Sequence, residues 1–187
     1  MNFVNLKKDF KNKSLQLINF VNLSAEELAM VLKWRNHNEI RKWMYSENII
    51  STKEHEAYIK KLEDDNRNFA WVVKKENTLL GVITFLRVDW NNKNTYFGIY
   101  SNPYSKKVGI GRLLDDCSLF LAFEISKLHT MHLEVLESNK RVINLHKKMG
   151  FKEEGKLKDF VFKNETWQDV IVMGIKSEDY HNFRGGA

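Results

Sequence analysis

The most constraining feature of this chain is a short basic stretch with two closely spaced glycines, Lys106-Lys107-Val108-Gly109-Ile110-Gly111-Arg112. It lies between a strand-like segment ending at Tyr100 and a long apolar stripe beginning at Ile110. A strand that turns into a helix through glycine can bring its backbone close to a ligand, and the first amides of such a helix have no intrahelical acceptor and favour an anion. Lys106, Lys107 and Arg112 add positive charge around the same turn, as expected for a ligand carrying several phosphates. A tight turn with solvated lysines is the plainer reading of the same residues. Neither G-x-x-x-x-G-K-[ST] nor G-x-G-x-x-G occurs, which argues against a nucleoside triphosphatase and a nicotinamide enzyme.

Around this turn the hydrophobic period changes repeatedly. A strand is predicted over Leu15 to Val21, and Ser24-x-x-Glu27 has capping-box spacing for a helix over Ala25 to Trp34. Ser51-x-x-Glu54 opens a second helix ending near Asp64, with His55, Tyr58, Ile59 and Leu62 on one face. Strands at Phe69 to Lys74, Thr78 to Val88 and Asn94 to Tyr100 form an antiparallel meander, and Pro103 follows the third. The longest helix carries Ile110, Leu113, Leu114, Cys117, Leu121 and Ile125 on a single stripe. After it come a strand over Met131 to Leu136, a helix over Asn139 to Met149 stopped by Gly150, and strands at Phe151 to Phe162 and Thr166 to Ile175. The order β-α-α-β-β-β-α-β-α-β-β implies an α+β fold with a mixed, largely antiparallel sheet flanked by helices and a β-α-β unit near its middle.

The 187 residues include one proline, so one domain over 1–187 is expected, with its core at about 15–176 and short extensions at both ends. Apolar residues are 43% of the chain, enough for a core. The lone Cys117 excludes an internal disulfide framework and a multi-cysteine zinc site; no metal is expected, and a reducing, cytoplasmic compartment is. Met1 to Lys13 lacks a signal-peptide pattern and no stretch is long and apolar enough to span a membrane, so no membrane partner is expected. The net charge of +6 would attract a polyanion. Nucleic acid is disfavoured because no basic tract is interleaved with aromatics.

Lys106-x-x-Gly109-x-Gly111 after a strand resembles the acetyl-coenzyme A signature of the GCN5-related N-acetyltransferases, with Lys in place of the usual Gln or Arg. Asn139-x-x-Val142-x-x-Leu145-His146-x-x-x-Gly150-Phe151 is similar to that family's second signature. The resemblance spans about Leu15 to Ile175. It implies acetyl-CoA as acetyl donor, bound by Lys106, Lys107, Val108, Gly109, Ile110, Gly111, Arg112 and Asn139. It also implies a splay between two parallel strands, Tyr96 to Tyr100 and Met131 to Leu136, that receives the pantetheine arm. Direct attack of an amine on the thioester is implied, with no covalent role for Cys117. His146 stands where many relatives have a tyrosine that protonates the departing thiolate. An imidazole, with an unperturbed pKa of about 6.5, is able to take that role, although Val142, Leu145, His146 and Met149 share a helix face and a buried core histidine is the plainer reading.

The run Trp34-Arg35-Asn36-His37-Asn38, then Lys42-Trp43-Met44-Tyr45-Ser46, resembles the nucleotide-sugar N-acetyltransferases of pseudaminic acid biosynthesis within that family. Gly98-Ile99-Tyr100-x-Asn102-Pro103 and His132-Leu133-Glu134-Val135 extend the likeness. This implies a UDP-linked amino sugar as acceptor, its 4-amino group being acetylated, in bacteria that decorate flagellin or other surface glycans. Arg35, Trp43, Tyr45, His55 and Tyr100 are the candidate acceptor residues: Arg35 for the diphosphate, Trp43 or Tyr45 for stacking. Packing of the first helices on the sheet is the alternative for Trp43 and His55, and a surface charge for Arg35. Strand alternation leaves His132 and Glu134 either lining the site or facing outward, and the acceptor amine needs no dedicated base. An N-terminal protein acetyltransferase of the same fold and a cofactor-binding sensor without turnover remain the competing readings, and a homodimer is the assembly left open.

Overall fold

The computed structural model describes residues 4–185 of the chain. Its strands are β1 (Phe10–Asn12), β2 (Leu15–Asn19), β3 (Phe69–Lys75), β4 (Thr78–Asp89), β5 (Asn94–Ser101), β6 (Thr130–Leu136), β7 (Lys152–Lys163) and β8 (Thr166–Lys176). The helices are α1 (Ala25–Arg35), α2 (Asn38–Arg41), α3 (Thr52–Asp64), α4 (Ile110–Leu119), α5 (Lys140–Lys148) and α6 (Ser177–Gly185). The strands form one sheet in the order β1-β2-β3-β4-β5-β6-β8-β7. Every neighbouring pair is antiparallel except β5 and β6, which are parallel and joined by the crossover through α4. The expected meander and β-α-β unit are both present.

Both faces of the sheet are covered, which explains why β3 reads as a continuous apolar run, with Phe69 to Val73 all buried. Trp71, Val73, Ile83, Phe85 and Phe97 pack with Ile110, Leu114, Cys117 and Leu121 of α4 and its continuation and with Ile143 of α5. On the opposite face Ala70, Val72 and Val82 pack with Val31 and Trp34 of α1 and Ile59 and Leu62 of α3. Fully burying one such aliphatic side chain is worth about 1.5–3 kcal/mol. Both predicted capping boxes form, Ser24 with Glu27 and Ser51 with Glu54, fixing where α1 and α3 begin.

Several elements differ from the sequence reading. β1, α2, the 3-10 turn over Phe20–Asn22 and α6 were not anticipated; β1 and α2 are too short to show a period, and α6 contributes Tyr180 to the core from an otherwise polar helix. The α4 stripe is also rotated from expectation, because Leu113 is exposed while Asp115 and Ser118 are fully buried. After Leu119 the helix widens into a π segment over Phe120–Ile125, with Ser126 N–H bonded to Leu121 O. Leu121, Ala122 and Phe123 are all buried in this segment.

Two contacts hold the central strands and the N-terminal helices in place. A Cβ added to Gly81 of β4 would lie 2.5 Å from Tyr100 O and 2.7 Å from Leu114 Cδ1, so α4 sits on the sheet only because this position has no side chain. Lys163, at the end of β7, is buried and donates to the carbonyls of Lys42 (2.6 Å), Met44 (2.9 Å) and Arg41 (3.3 Å), with Glu47 Oε1 at 3.3 Å. It ties the β7–β8 hairpin to the chain following α2.

Gly81→Ala is expected to destabilise the protein by about 1–3 kcal/mol through overpacking against backbone, measured by urea unfolding. Lys163→Met is expected to leave the sheet intact by circular dichroism while making the segment 41–50 markedly more sensitive to limited proteolysis, because three carbonyls lose their donor.

Candidate active site

The sheet opens at its centre. β5 and β6 are paired only at Asn94↔Thr130, Thr95↔Met131 and Tyr96↔His132, although β5 continues to Ser101 and β6 to Leu136. Beyond Tyr96, β5 remains paired with β4 as far as Gly81↔Ser101, and β6 remains paired with β8 as far as Leu136↔Val170. Each strand follows its outer neighbour, and the facing edges diverge into the splay expected between them. An open pair of backbone edges inside a sheet is a ready acceptor for an extended, amide-bearing ligand.

The glycine turn lies beyond the end of β5. Gly109 is the N-cap of α4 at φ +88°, a left-handed conformation that a side chain rarely adopts, and it makes no side-chain cap contact. Leu113 N–H is the first helix amide to bond back, to Gly109 O at 3.2 Å, so the amides of the first turn remain directed outward. Val108 is fully exposed, Lys106, Lys107 and Arg112 are also exposed, and Ile110 turns into the core. The position of an added Cβ at Gly109 is open space, as a cradle for a diphosphate requires. Gly111 has a different reason to be glycine: a Cβ there would meet Leu145 Cδ2 of α5 at 2.9 Å. These residues fit coenzyme A, with its diphosphate at the turn and its extended arm in the splay.

His146, Asp115 and Phe97 lie on the α4–α5 side of the splay. His146 is buried, with its ring edge-on to Phe97 at 5.7 Å and near Phe151 at 5.4 Å, and Nδ1 lies 3.1 Å from Asp115 Oδ2. Asn139 is buried and caps α5 by accepting from Val142 N–H at 3.3 Å. Cys117 is buried in the core.

On the opposite side, the segment after α1 reaches across the splay. Arg35 is partly buried beside Tyr100 of β5; burial lowers the pKa of its guanidinium, Tyr100 opposes that, and its Nη1 has no hydrogen-bond partner among the described residues. Burial pushes the Tyr100 hydroxyl well above the ordinary phenol range. Tyr45 donates to Glu134 Oε2 of β6 at 2.8 Å, and burial together with that carboxylate raises its pKa as well. Arg87 Nη2 lies 3.5 Å from Glu134 Oε1, and its guanidinium stacks over Tyr96 at 4.2 Å. His132 bridges Glu154 (2.9 Å) and Thr130 (3.0 Å).

The predicted residues therefore separate into groups. Arg35 lies beside Tyr100 of β5, while Tyr45 is hydrogen-bonded to Glu134 of β6. Trp43 is exposed to about the same degree as Tyr45, 39% against 41%, with the Lys42 ammonium 5.6 Å from its ring. His55 is elsewhere, facing a cleft of about 1040 Å³ between α1 and α3 that includes His37, Ile59 and Tyr104. Its position on the apolar face of α3 decides this. Arg87, Tyr96 and Asp115 were missed. Arg87 has φ +56° at a register shift in β4, and Asp115 meets His146 from a different helix, so neither leaves a signal in local spacing. For Glu134 and His132 strand alternation leaves two faces open, and the contacts with Tyr45 and Arg87 place Glu134 on the face covered by the segment after α1.

Comparison with known proteins agrees with this geometry. Residues 18–152 match the family described as "Acetyltransferase (GNAT) domain". The chain is 31% identical over 146 residues to "Acetyltransferase PseH" of Campylobacter jejuni, covering 78% of this chain and 90% of that protein. It is 28% identical over 161 residues to "Spermidine N(1)-acetyltransferase" of Vibrio cholerae, covering 86% of this chain and 93% of the relative. The crystal structure of spermidine N-acetyltransferase from Vibrio cholerae in complex with CoA and spermine superposes with a TM-score of 0.83 at 28% identity, covering 90% of this chain and 99% of the other. No helix among the described residues is long and apolar enough to cross a membrane. The splayed parallel strands, the outward amides at Gly109 and the family match over most of the chain make it a member of the GNAT acetyltransferase family and an acetyl-CoA-dependent N-acetyltransferase.

Proposed function

We propose that the acceptor is a UDP-linked amino-deoxy sugar of the kind acetylated on its 4-amino group in pseudaminic acid biosynthesis, UDP-4-amino-4,6-dideoxy-N-acetyl-β-L-altrosamine. The observation that carries this reading is Arg35, a half-buried cation at the acceptor mouth whose Nη1 has no hydrogen-bond partner among the described residues. A buried guanidinium group left unsatisfied is costly, and a diphosphate supplies the missing acceptors. The likeness to PseH supports the same reading, as does the net charge of +6, which attracts a nucleotide and repels a polyamine.

In this reading the first-turn amides from Gly109 to Arg112, with Lys106 and Lys107, hold the diphosphate of acetyl-CoA, and Asn139 fixes the start of α5 beside it. Bound acetyl-CoA supplies an acetyl group activated as a thioester. Tyr100 and Tyr45, on opposite edges of the splay, orient the sugar so that its amine approaches that carbonyl; such alignment is a large part of the rate gain. His146 supplies the proton that the departing sulfur requires. The acetylated nucleotide sugar then passes to surface-glycan assembly such as flagellin glycosylation, and the enzyme works in the cytoplasm.

A polyamine acceptor is the second reading, favoured by the likeness to the Vibrio cholerae spermidine enzyme and by the carboxylates of Glu134 and Glu154 on the acceptor face. Both carboxylates already face cationic or hydrogen-bonding partners, Arg87 and Tyr45 for Glu134 and His132 for Glu154.

Purified protein supplied with acetyl-CoA is expected to release free thiol with the UDP-4-amino sugar and not with spermidine, and UDP is expected to compete with the acceptor. Turnover of spermidine that UDP does not inhibit would overturn the proposal. His146→Phe is expected to lower kcat by about 10²-fold or more with the KM for acetyl-CoA unchanged; an undiminished kcat removes His146 from the reaction.

A further inference from the structure

Asp115 has no place in the chemistry described so far, yet its environment is unusual. It is fully buried on α4, and neither carboxylate oxygen makes a hydrogen bond of good geometry within the described residues. Its nearest polar neighbour is His146 Nδ1, 3.1 Å from Oδ2, approached off the ideal hydrogen-bond direction. The imidazole of His146 is in turn packed against two aromatic rings, Phe97 from β5 and Phe151 from the chain after α5. The charged groups acting on Asp115 are His146 from α5 and Asp116 from α4, and the latter disfavours its ionisation. A bare carboxylate is expensive in such surroundings, and burial accordingly raises the pKa of Asp115 while His146 opposes the rise.

We infer that Asp115 is a positioning residue for His146: it fixes the imidazole with Nδ1 turned inward, presents Nε2 to the splay, and keeps a proton on the pair until the thiolate appears. The inference rests on the reading of His146 as proton donor. The physical reason lies in the charge of the pair. With one shared proton Asp115 and His146 are together neutral, whether the proton sits on the carboxyl or completes an imidazolium. Losing it leaves a net negative charge in an aromatic cage, which only a strong base such as a thiolate can impose. During transfer the amine nitrogen bonds to the acetyl carbon, the carbon–sulfur bond breaks with its electron pair on sulfur, and the Nε2 proton moves to that sulfur. The amine's surplus proton goes to water, and solvent later restores the proton to the pair. A lone histidine, largely unprotonated above pH of about 7, would lack this reserve; the buried carboxylate therefore accounts for how histidine serves at a position where the family's tyrosine pattern would otherwise be expected.

The test is a double-mutant cycle read by pH profile. Asp115→Asn is expected to lower kcat about tenfold at pH 8 and to move the basic limb of kcat to lower pH, with the calorimetric Kd for coenzyme A unchanged. In the His146→Tyr background, Asp115→Asn is expected to leave the pH profile where it was, since a phenol needs no carboxylate. An equal loss in both backgrounds means Asp115 merely supports the fold and overturns the inference, as does an unchanged profile in the single variant. His146→Phe separates the two levels: full activity there sinks the proton-donor reading itself, whereas a loss there beside an inert Asp115→Asn sinks only the role of Asp115. Should Asp115→Asn fail to fold, ring ¹⁵N shifts of His146 in the unmodified protein decide the matter. A protonated Nε2 throughout pH 6–8 is expected, and a bare Nε2 overturns the proposal.

Discussion

The parting of β5 from β6 after three paired residues is the constraint on which the rest of the molecule depends. Its origin is competition between ladders. β5 is committed to β4 as far as Ser101, and β6 to β8 as far as Leu136, and two twisted sheet halves that each follow their outer partner cannot keep a shared edge. α4 then settles on one face through the missing side chain of Gly81, close to the carbonyl of Tyr100, and brings the Gly109 amides to the end of the open strand. Backbone edges left open in a half-buried place require a partner, and a long amide-containing arm ending in a diphosphate matches both the edge and the helix start.

The two faces of that opening have different chemistry because different helices cover them. On the α4–α5 side the surroundings are apolar and hold the buried pair Asp115 and His146. On the α1 side the cover is a polar segment between α1 and α3, held by Lys163 through backbone carbonyls and joined to β6 by the hydrogen bond from Tyr45 to Glu134. The position of that segment thus depends on the distant β7–β8 hairpin.

How much was legible follows from the range of each interaction. The capping boxes at Ser24 and Ser51, the meander, the glycine turn and the stop at Gly150 are local, and spacing alone predicts them. Arg35, Tyr45 and Tyr100 are candidates only through the resemblance, and packing sets Arg35 beside Tyr100 and Tyr45 against Glu134. Trp43 and His55 looked equivalent in the sequence, yet one faces outward and the other faces the cleft between α1 and α3.

The sequence by itself determined the order of the longer central elements, the starts of α1 and α3 and the glycine turn before α4, because these depend on backbone preferences and on side chains within a few residues of one another. Only the tertiary structure decided that Asp115 meets His146, that Arg87 stacks on Tyr96 beside Glu134, and that Lys163 holds the chain after α2. Each of those contacts joins different elements, and its geometry is set by how helices and strands register against the sheet, a quantity that no local pattern encodes.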